Sequence, residues 1–137
     1  AEFLRGMIAG ALPKIGRMNL AYFPDSQGRI LTEMSLIRHD EDHFTLITAA
    51  SAQWHDYDIL DRYLPAGLTL TDITKEFSTL IVTGPKARDL FIAMGTDADL
   101  ASGWLTHQSA TVEGVSCKLA SVSFAGELGW EINARMD

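Results

Sequence analysis

Apolar and polar residues alternate in short blocks along this chain, and the period of the alternation changes several times. Phe3, Leu4, Met7, Ile8, Ala11 and Leu12 fall at helical spacing and Pro13 closes the run, so the N-terminal dozen residues read as a helix. Residues 18–23 form a short apolar strand, followed by the turn cluster Pro24-Asp25-Ser26-Gln27-Gly28. Over residues 29–38 the period is two: Ile30, Thr32, Met34 and Leu36 share one face, and Leu31, Glu33, Ser35 and Ile37 share the other. The acidic turn Asp40-Glu41-Asp42 leads into a further strand over residues 44–48, which completes an antiparallel meander.

Helical spacing returns over residues 51–63, with Ser51 as cap and Trp54, Tyr57, Leu60 and Leu64 as the expected buried stripe. Pro65-Ala66-Gly67 ends it, and residues 68–72 and 78–82 read as strands. Thr83-Gly84-Pro85 then opens a helix to about residue 94, with Pro85 at its first position and Ala87, Leu90, Phe91 and Met94 inward. Residues 95–109 read as loop with a short helical stretch near 98–104, and residues 114–124 and 129–133 as two strands. Hairpins of antiparallel strands with helices crossing between them make an α+β fold, and a ferredoxin-like arrangement is the expected version.

Composition changes this picture little. The chain has 137 residues, 47% of them apolar and 21% charged, which is globular and excludes a disordered tail. The net charge of −7 argues against nucleic acid or an anionic membrane as partner, while leaving room for a local basic pocket. The lone Cys117 excludes an intramolecular disulfide framework and fits a reducing compartment. No apolar run approaches the roughly 18 residues of a membrane span, and no leader pattern is seen, so a cytoplasmic protein is expected. The chain opens without methionine inside a helical pattern, and neither end has a linker's composition. It is therefore expected to be a partial domain, truncated at both ends.

Most of the reactive residue types have ordinary readings. His39, His43, His55 and His107 lack the i, i+4 spacing of a helical metal site, so no metal is expected. Thr83-Gly84-Pro85-Lys86 offers helix N-terminal amides but lacks the glycines of a phosphate loop, and reads as helix-start punctuation. Cys117 sits in an alternating strand and reads as a small core residue. Two carboxylates stand apart: Glu33 shares a strand face with Leu31 and Ile37, and Glu131 lies between Trp130 and Ile132. An acid in such a place either pairs with a donor or has its pKa raised, and both serve a binding site. The alternative is that these sheet faces are open to water.

Three stretches carry a family resemblance. Ser123-Phe124-Ala125-Gly126-Glu127-Leu128-Gly129-Trp130-Glu131-Ile132, Gly28-Arg29-Ile30-Leu31-Thr32-Glu33 and Leu80-Ile81-Val82-Thr83-Gly84-Pro85-Lys86-Ala87 resemble segments of the glycine-cleavage T-protein family, in the family's order. Within it, Leu12-Pro13-Lys14-Ile15-Gly16-Arg17 and the 28–33 stretch are most similar to dimethylglycine or sarcosine dehydrogenase-type proteins. The resemblance implies a folate-binding domain that captures a one-carbon unit from a methylated or aminomethyl amine, giving 5,10-methylenetetrahydrofolate. It implies tetrahydrofolate as cofactor, with FAD in a preceding oxidase domain. It also implies roles: Glu131 accepts hydrogen bonds from the pterin's amino group and ring N–H, Phe124 packs on the ring, and Glu33 serves the reacting centre. Here Phe124 stands where tyrosine is common, Glu33 where the family has aspartate, and Arg29 where it has the second glycine of a pair. The alternative is a folate-binding regulatory or assembly module that transfers no carbon. Self-association of the fragment, or a homo-oligomer, is expected if an apolar face is left uncovered.

Overall fold

In the computed structural model, residues 1–123 and 125–136 are described. The alternation over residues 29–38 becomes strand β2 (Ile30–Arg38), paired antiparallel with β1 (Met18–Pro24) and β3 (Phe44–Ile47) in the order β1-β2-β3. Ala21 faces Met34 and Phe23 faces Thr32, so the apolar residues of both strands collect on one face. Leu4 of helix α1 (Glu2–Met7) and Leu60 of helix α2 (Gln53–Arg62) close over that face, making a core of Leu4, Ala21, Phe23, Met34, Leu36 and Leu60. These elements form one compact unit, Ala1–Thr71.

Four expectations for this unit are corrected. Helix α1 stops at Met7 rather than near Leu12, because Ala9 leaves the helix to donate its N–H to the Tyr22 carbonyl at 2.8 Å. Residues 68–72 form no strand; Leu70 instead packs on the core. On α2 the buried positions are Asp56, Ile59 and Leu60, so the stripe is turned away from Trp54, which is 69% exposed. Ser51 makes no cap; it lies in a short 3₁₀ turn, Ala50–Ala52, ahead of the helix.

The second unit, Asp72–Asp137, is built on a four-stranded antiparallel sheet in the order β4-β7-β6-β5. Its strands are β4 (Phe77–Thr83), β5 (His107–Val112), β6 (Val115–Ser121) and β7 (Gly129–Arg135). Helix α3 (Ala87–Met94) follows β4 and packs Ala87 and Phe91 against Ala110, Val112, Cys117, Leu119, Trp130 and Ile132. Alternation along each strand puts these side chains on one face, with α3 over it, the helix-on-sheet layering of an α+β fold. Cys117 is buried in this core, as its strand pattern suggested, and burial raises its thiol pKa.

Residues 98–104 form no helix, and Leu90 is exposed rather than inward on α3. Around 96–101 side chains take the local backbone amides. Thr96 Oγ1 accepts from Ala98 N–H at 3.1 Å and Asp99 Oδ1 from Ala101 N–H at 2.9 Å. Such side-chain bonds compete with helix formation. Strand β5 also arises where the sequence suggested loop. The fold is thus α+β with two antiparallel sheets, and no helix among the described residues is long and apolar enough to cross a membrane.

Candidate functional site

Two of the distinctive stretches meet in the second unit. The Leu128 carbonyl accepts from Gly84 N–H at 2.8 Å and from Thr83 Oγ1–H at 3.3 Å, tying the start of the α3 connection to the loop before β7. That loop is held by Glu127, whose Oε2 accepts from Ala125 N–H at 2.7 Å and from Ser123 Oγ–H at 3.1 Å. The first glutamate of the Gly-Glu turn is therefore a loop organiser. Gly129 enters β7 where a Cβ would lie 3.0 Å from the Val122 carbonyl oxygen and 3.3 Å from Thr83 Oγ1, so this close approach requires glycine.

The strand that begins there sends Trp130 into the α3-covered core and Glu131 to the opposite face. Glu131 stands directly opposite Ile81 on β4 and Ala120 on β6, so its carboxyl group sits between apolar neighbours. It is 6% exposed, and its Oε2 has no hydrogen-bond partner among the described residues. Burial raises its pKa above the usual glutamate range. Two residues on, Asn133 shares the face and is 9% exposed. Thr79 Oγ1–H donates to Asn133 Oδ1 at 2.6 Å, which leaves Asn133 Nδ2 buried with no partner among the described residues. An acceptor and a donor, both desolvated and unmet, thus lie side by side on β7. Groups in that condition fit a ligand that supplies the missing bonds.

Asn133 also borders a shallow cleft of about 440 Å³, lined further by Phe77, Asp97, Ser109, Lys118 and Arg135. Its cations are engaged: Lys118 Nζ donates to Ser109 Oγ at 2.6 Å, and Arg135 pairs with Glu76 while stacking over Phe77.

The other sequence candidates fall differently. Phe124 lies outside the described residues. Glu33 belongs to the first unit and is exposed on β2, opposite Tyr22, with Leu31 beside it also exposed, so this part of the face is open to water. The turn before it is firm. Asp25 Oδ1 accepts from the N–H groups of Gln27 at 2.8 Å and Arg29 at 2.9 Å, and Asp25 Oδ2 from Arg29 Nε–H at 2.9 Å. The backbone and side-chain donors of Arg29 hold the Asp25 carboxyl below its ordinary value, outweighing the effect of burial. Gly28 takes φ +77° in this turn, a left-handed conformation suited to glycine, and Arg29 serves as the clamp. The His39 and His43 rings lie beside the acidic turn with centroids 4.7 Å apart and planes tilted by 36°, and His39 Nε2 lies 2.8 Å from Thr45 Oγ1.

Sequence reasoning missed Asp56. It is 1% exposed on the inner side of α2, where Thr48 Oγ1–H donates to its Oδ2, the His55 ring Nδ1 lies 2.9 Å from its Oδ1, and Thr32 of β2 adds a further bond. Burial alone would raise this carboxyl's pKa, but the Thr48, His55 and Thr32 donors outweigh it and lower the value. The signal was there: Asp56 stands three residues before Ile59 and four before Leu60, on the helix's apolar face.

Comparison with known proteins gives the same direction as the quoted stretches. Dimethylglycine dehydrogenase, mitochondrial, of Mus musculus is 27% identical over 141 residues, covering 99% of this chain and 16% of that protein. Sarcosine oxidase subunit alpha of Corynebacterium sp. (strain U-96) is 26% identical, covering 96% of this chain and 15% of its own length. Aminomethyltransferase of Mycobacterium leprae (strain Br4923) is 22% identical, covering 96% of this chain and 36% of its own. The chain thus spans about one sixth of the dehydrogenase. That mouse relative is mitochondrial by name, so the expectation of a cytoplasmic protein does not carry over from it. The GCVT N-terminal domain matches residues 1–137 from end to end, and the chain belongs to that family.

Proposed function

We propose that this chain contributes the pterin-anchoring part of a tetrahydrofolate-dependent aminomethyltransferase-type protein acting on an amine of the dimethylglycine, sarcosine or glycine kind. The observation that carries this reading is Glu131 Oε2, buried between apolar neighbours with no partner among the described residues. The edge of a pterin offers adjacent N–H donors in one plane, and a carboxylate is the side chain that can accept from both. The names of the relatives supply the chemistry: a dehydrogenase of dimethylglycine, a sarcosine oxidase subunit and an aminomethyltransferase. Bound tetrahydrofolate would supply the two nitrogens that take up the one-carbon unit, N5 in the pterin ring and N10 on the side arm, giving 5,10-methylenetetrahydrofolate. In this reading Glu131 orients the ring, Phe124 packs on it, and Glu33 serves the reacting centre by stabilising positive charge or assisting proton movement. No residue here is assigned to FAD.

Titration of the full-length protein with tetrahydrofolate, wild type against Glu131→Gln, tests the assignment. The expected loss is about 2–3 kcal/mol, because a charge-assisted pair becomes a mismatched amide. Equal affinity for the two proteins would refute it.

A further inference from the structure

Three buried polar atoms of β7 have no partner among the described residues; Trp130 Nε1 lies on the helix-covered face, and the two on the opposite face, Glu131 Oε2 and Asn133 Nδ2, have opposite polarity. Asn133 lies on the same face, about 6–7 Å further along β7. Its amide is turned by Thr79, whose hydroxyl donates to Oδ1, so that Nδ2 is the atom left over. An unpaired N–H in a side chain that is nine-tenths buried is costly unless a ligand supplies an acceptor. Read in order along the strand, the site offers a carboxylate acceptor and then an amide donor.

That order has a chemical complement. In a 4-oxo pterin the 2-amino group, N3–H and 4-oxo oxygen follow one another along one edge as donor, donor and acceptor. Resting on the folate reading above, we infer that Asn133 is a specificity-determining residue: its Nδ2–H donates to the pterin 4-oxo oxygen while Glu131 accepts from the 2-amino group and N3–H. Asn133 therefore selects a 4-oxo ring over a 4-amino ring. Glu131 contributes some of this selection itself, since a neutral 4-amino ring carries no N3–H; the remainder belongs to Asn133 and is removed separately. Thr79 is a positioning residue, because without its hydroxyl the amide is free to present Oδ1 instead.

The test uses tetrahydrofolate and its 4-amino analogue as probes, titrated into the full-length protein and into the Asn133→Leu and Thr79→Val variants. Leucine keeps the volume and deletes the donor. Tetrahydrofolate should weaken about 10- to 100-fold in Asn133→Leu while the 4-amino analogue changes by less than about threefold. Thr79→Val should narrow the ratio between the two ligands, with tetrahydrofolate weakened by only about threefold. Because Thr79 is exposed, that variant decides the matter if Asn133→Leu does not fold. Equal losses for both ligands, or no change in the ratio in either variant, would overturn the role of Asn133. If tetrahydrofolate then still depended on Glu131, the folate reading would stand without it. Failure of the wild type to bind tetrahydrofolate would end both.

Discussion

The indole of Trp130 meets the ring of Phe91 edge-on, with centroids 5.3 Å apart and planes at 72°. Both side chains are fully buried, and the pair joins α3 to β7 at the centre of the second unit's core. Because successive strand residues point to opposite faces, anchoring Trp130 on the helix side also fixes Glu131 on the other. Phe91→Ala should cost about 3–5 kcal/mol in urea unfolding. A double-mutant cycle with Trp130→Leu should return about 0.5–1.5 kcal/mol of coupling beyond burial. A loss below about 1 kcal/mol for Phe91→Ala would mean that α3 is not what holds the strand in place.

Glu131 gives a pH dependence of definite sign. Burial raises its folded pKa above the unfolded value near 4.5, so the folded chain binds this proton more tightly than the unfolded chain does. Its contribution to stability is complete below that value and falls as pH rises through the raised folded pKa. Above the window the charged, unpartnered carboxylate remains a constant burden. Glu131→Gln should therefore be the more stable protein at pH 7, with its advantage shrinking as pH falls towards 4. Thermal unfolding across that range checks this, and a wild type more stable than the variant at pH 7 would contradict it. Saturating tetrahydrofolate should reverse the order by binding only the wild type well.

Much of this arrangement could be read from the chain beforehand, and the failures share a cause. Strands β2, β6 and β7 were legible because their core residues recur at every second position, as in Met34 and Leu36, Cys117 and Leu119, and Trp130 and Ile132, and Glu131 was visible as an acid flanked by core residues. Strand β5 was not visible. In His107–Val112 only Ala110 and Val112 are buried, and its other side chains gave no apolar signal. Asp56 escaped because the stripe drawn through Trp54 and Tyr57 was rotated from the true one, and its pairing with Thr48 across the β3–α2 connection and with Thr32 on β2 is a tertiary contact. The unmet donor of Asn133 depends on a bond from Thr79, 54 residues away, which no local pattern encodes.

Asp56 predicts the opposite pH behaviour to Glu131. The Thr48, His55 and Thr32 donors hold its folded pKa below the unfolded value of 3.8 despite its burial. Its stabilisation is therefore present above the unfolded pKa and lost as pH falls through the depressed folded one. Asp56→Asn should lower stability by about 1–3 kcal/mol at pH 7, since bonds to a charged acceptor are replaced by weaker ones. The deficit should shrink in acid below pH 4. Thr48→Val, which removes one donor, should cost less than Asp56→Asn at neutral pH, and denaturant titrations at pH 7 and pH 3 measure both. A deficit that stayed constant into acid would show that Asp56 acts by packing rather than charge.

On the folate reading proposed above, Glu33 separates transfer from binding. Its side chain is exposed on β2, so Glu33→Gln should change stability by no more than about 0.5 kcal/mol. A carboxylate that assists proton movement or steadies developing positive charge is worth about a hundredfold or more in rate. The variant should therefore bind tetrahydrofolate within about threefold of wild type while losing about a hundredfold in one-carbon capture from formaldehyde. Glutamate carries one methylene more than the aspartate of the resembling family, which makes Glu33→Asp informative as well. If the longer arm is fitted to this site, shortening it should also lower the rate, because a displacement near 1 Å can cost about a hundredfold. Unchanged capture kinetics in both variants would remove Glu33 from the reacting centre. Folate binding without any acceleration in the wild type would favour instead a module that holds the carrier and transfers nothing.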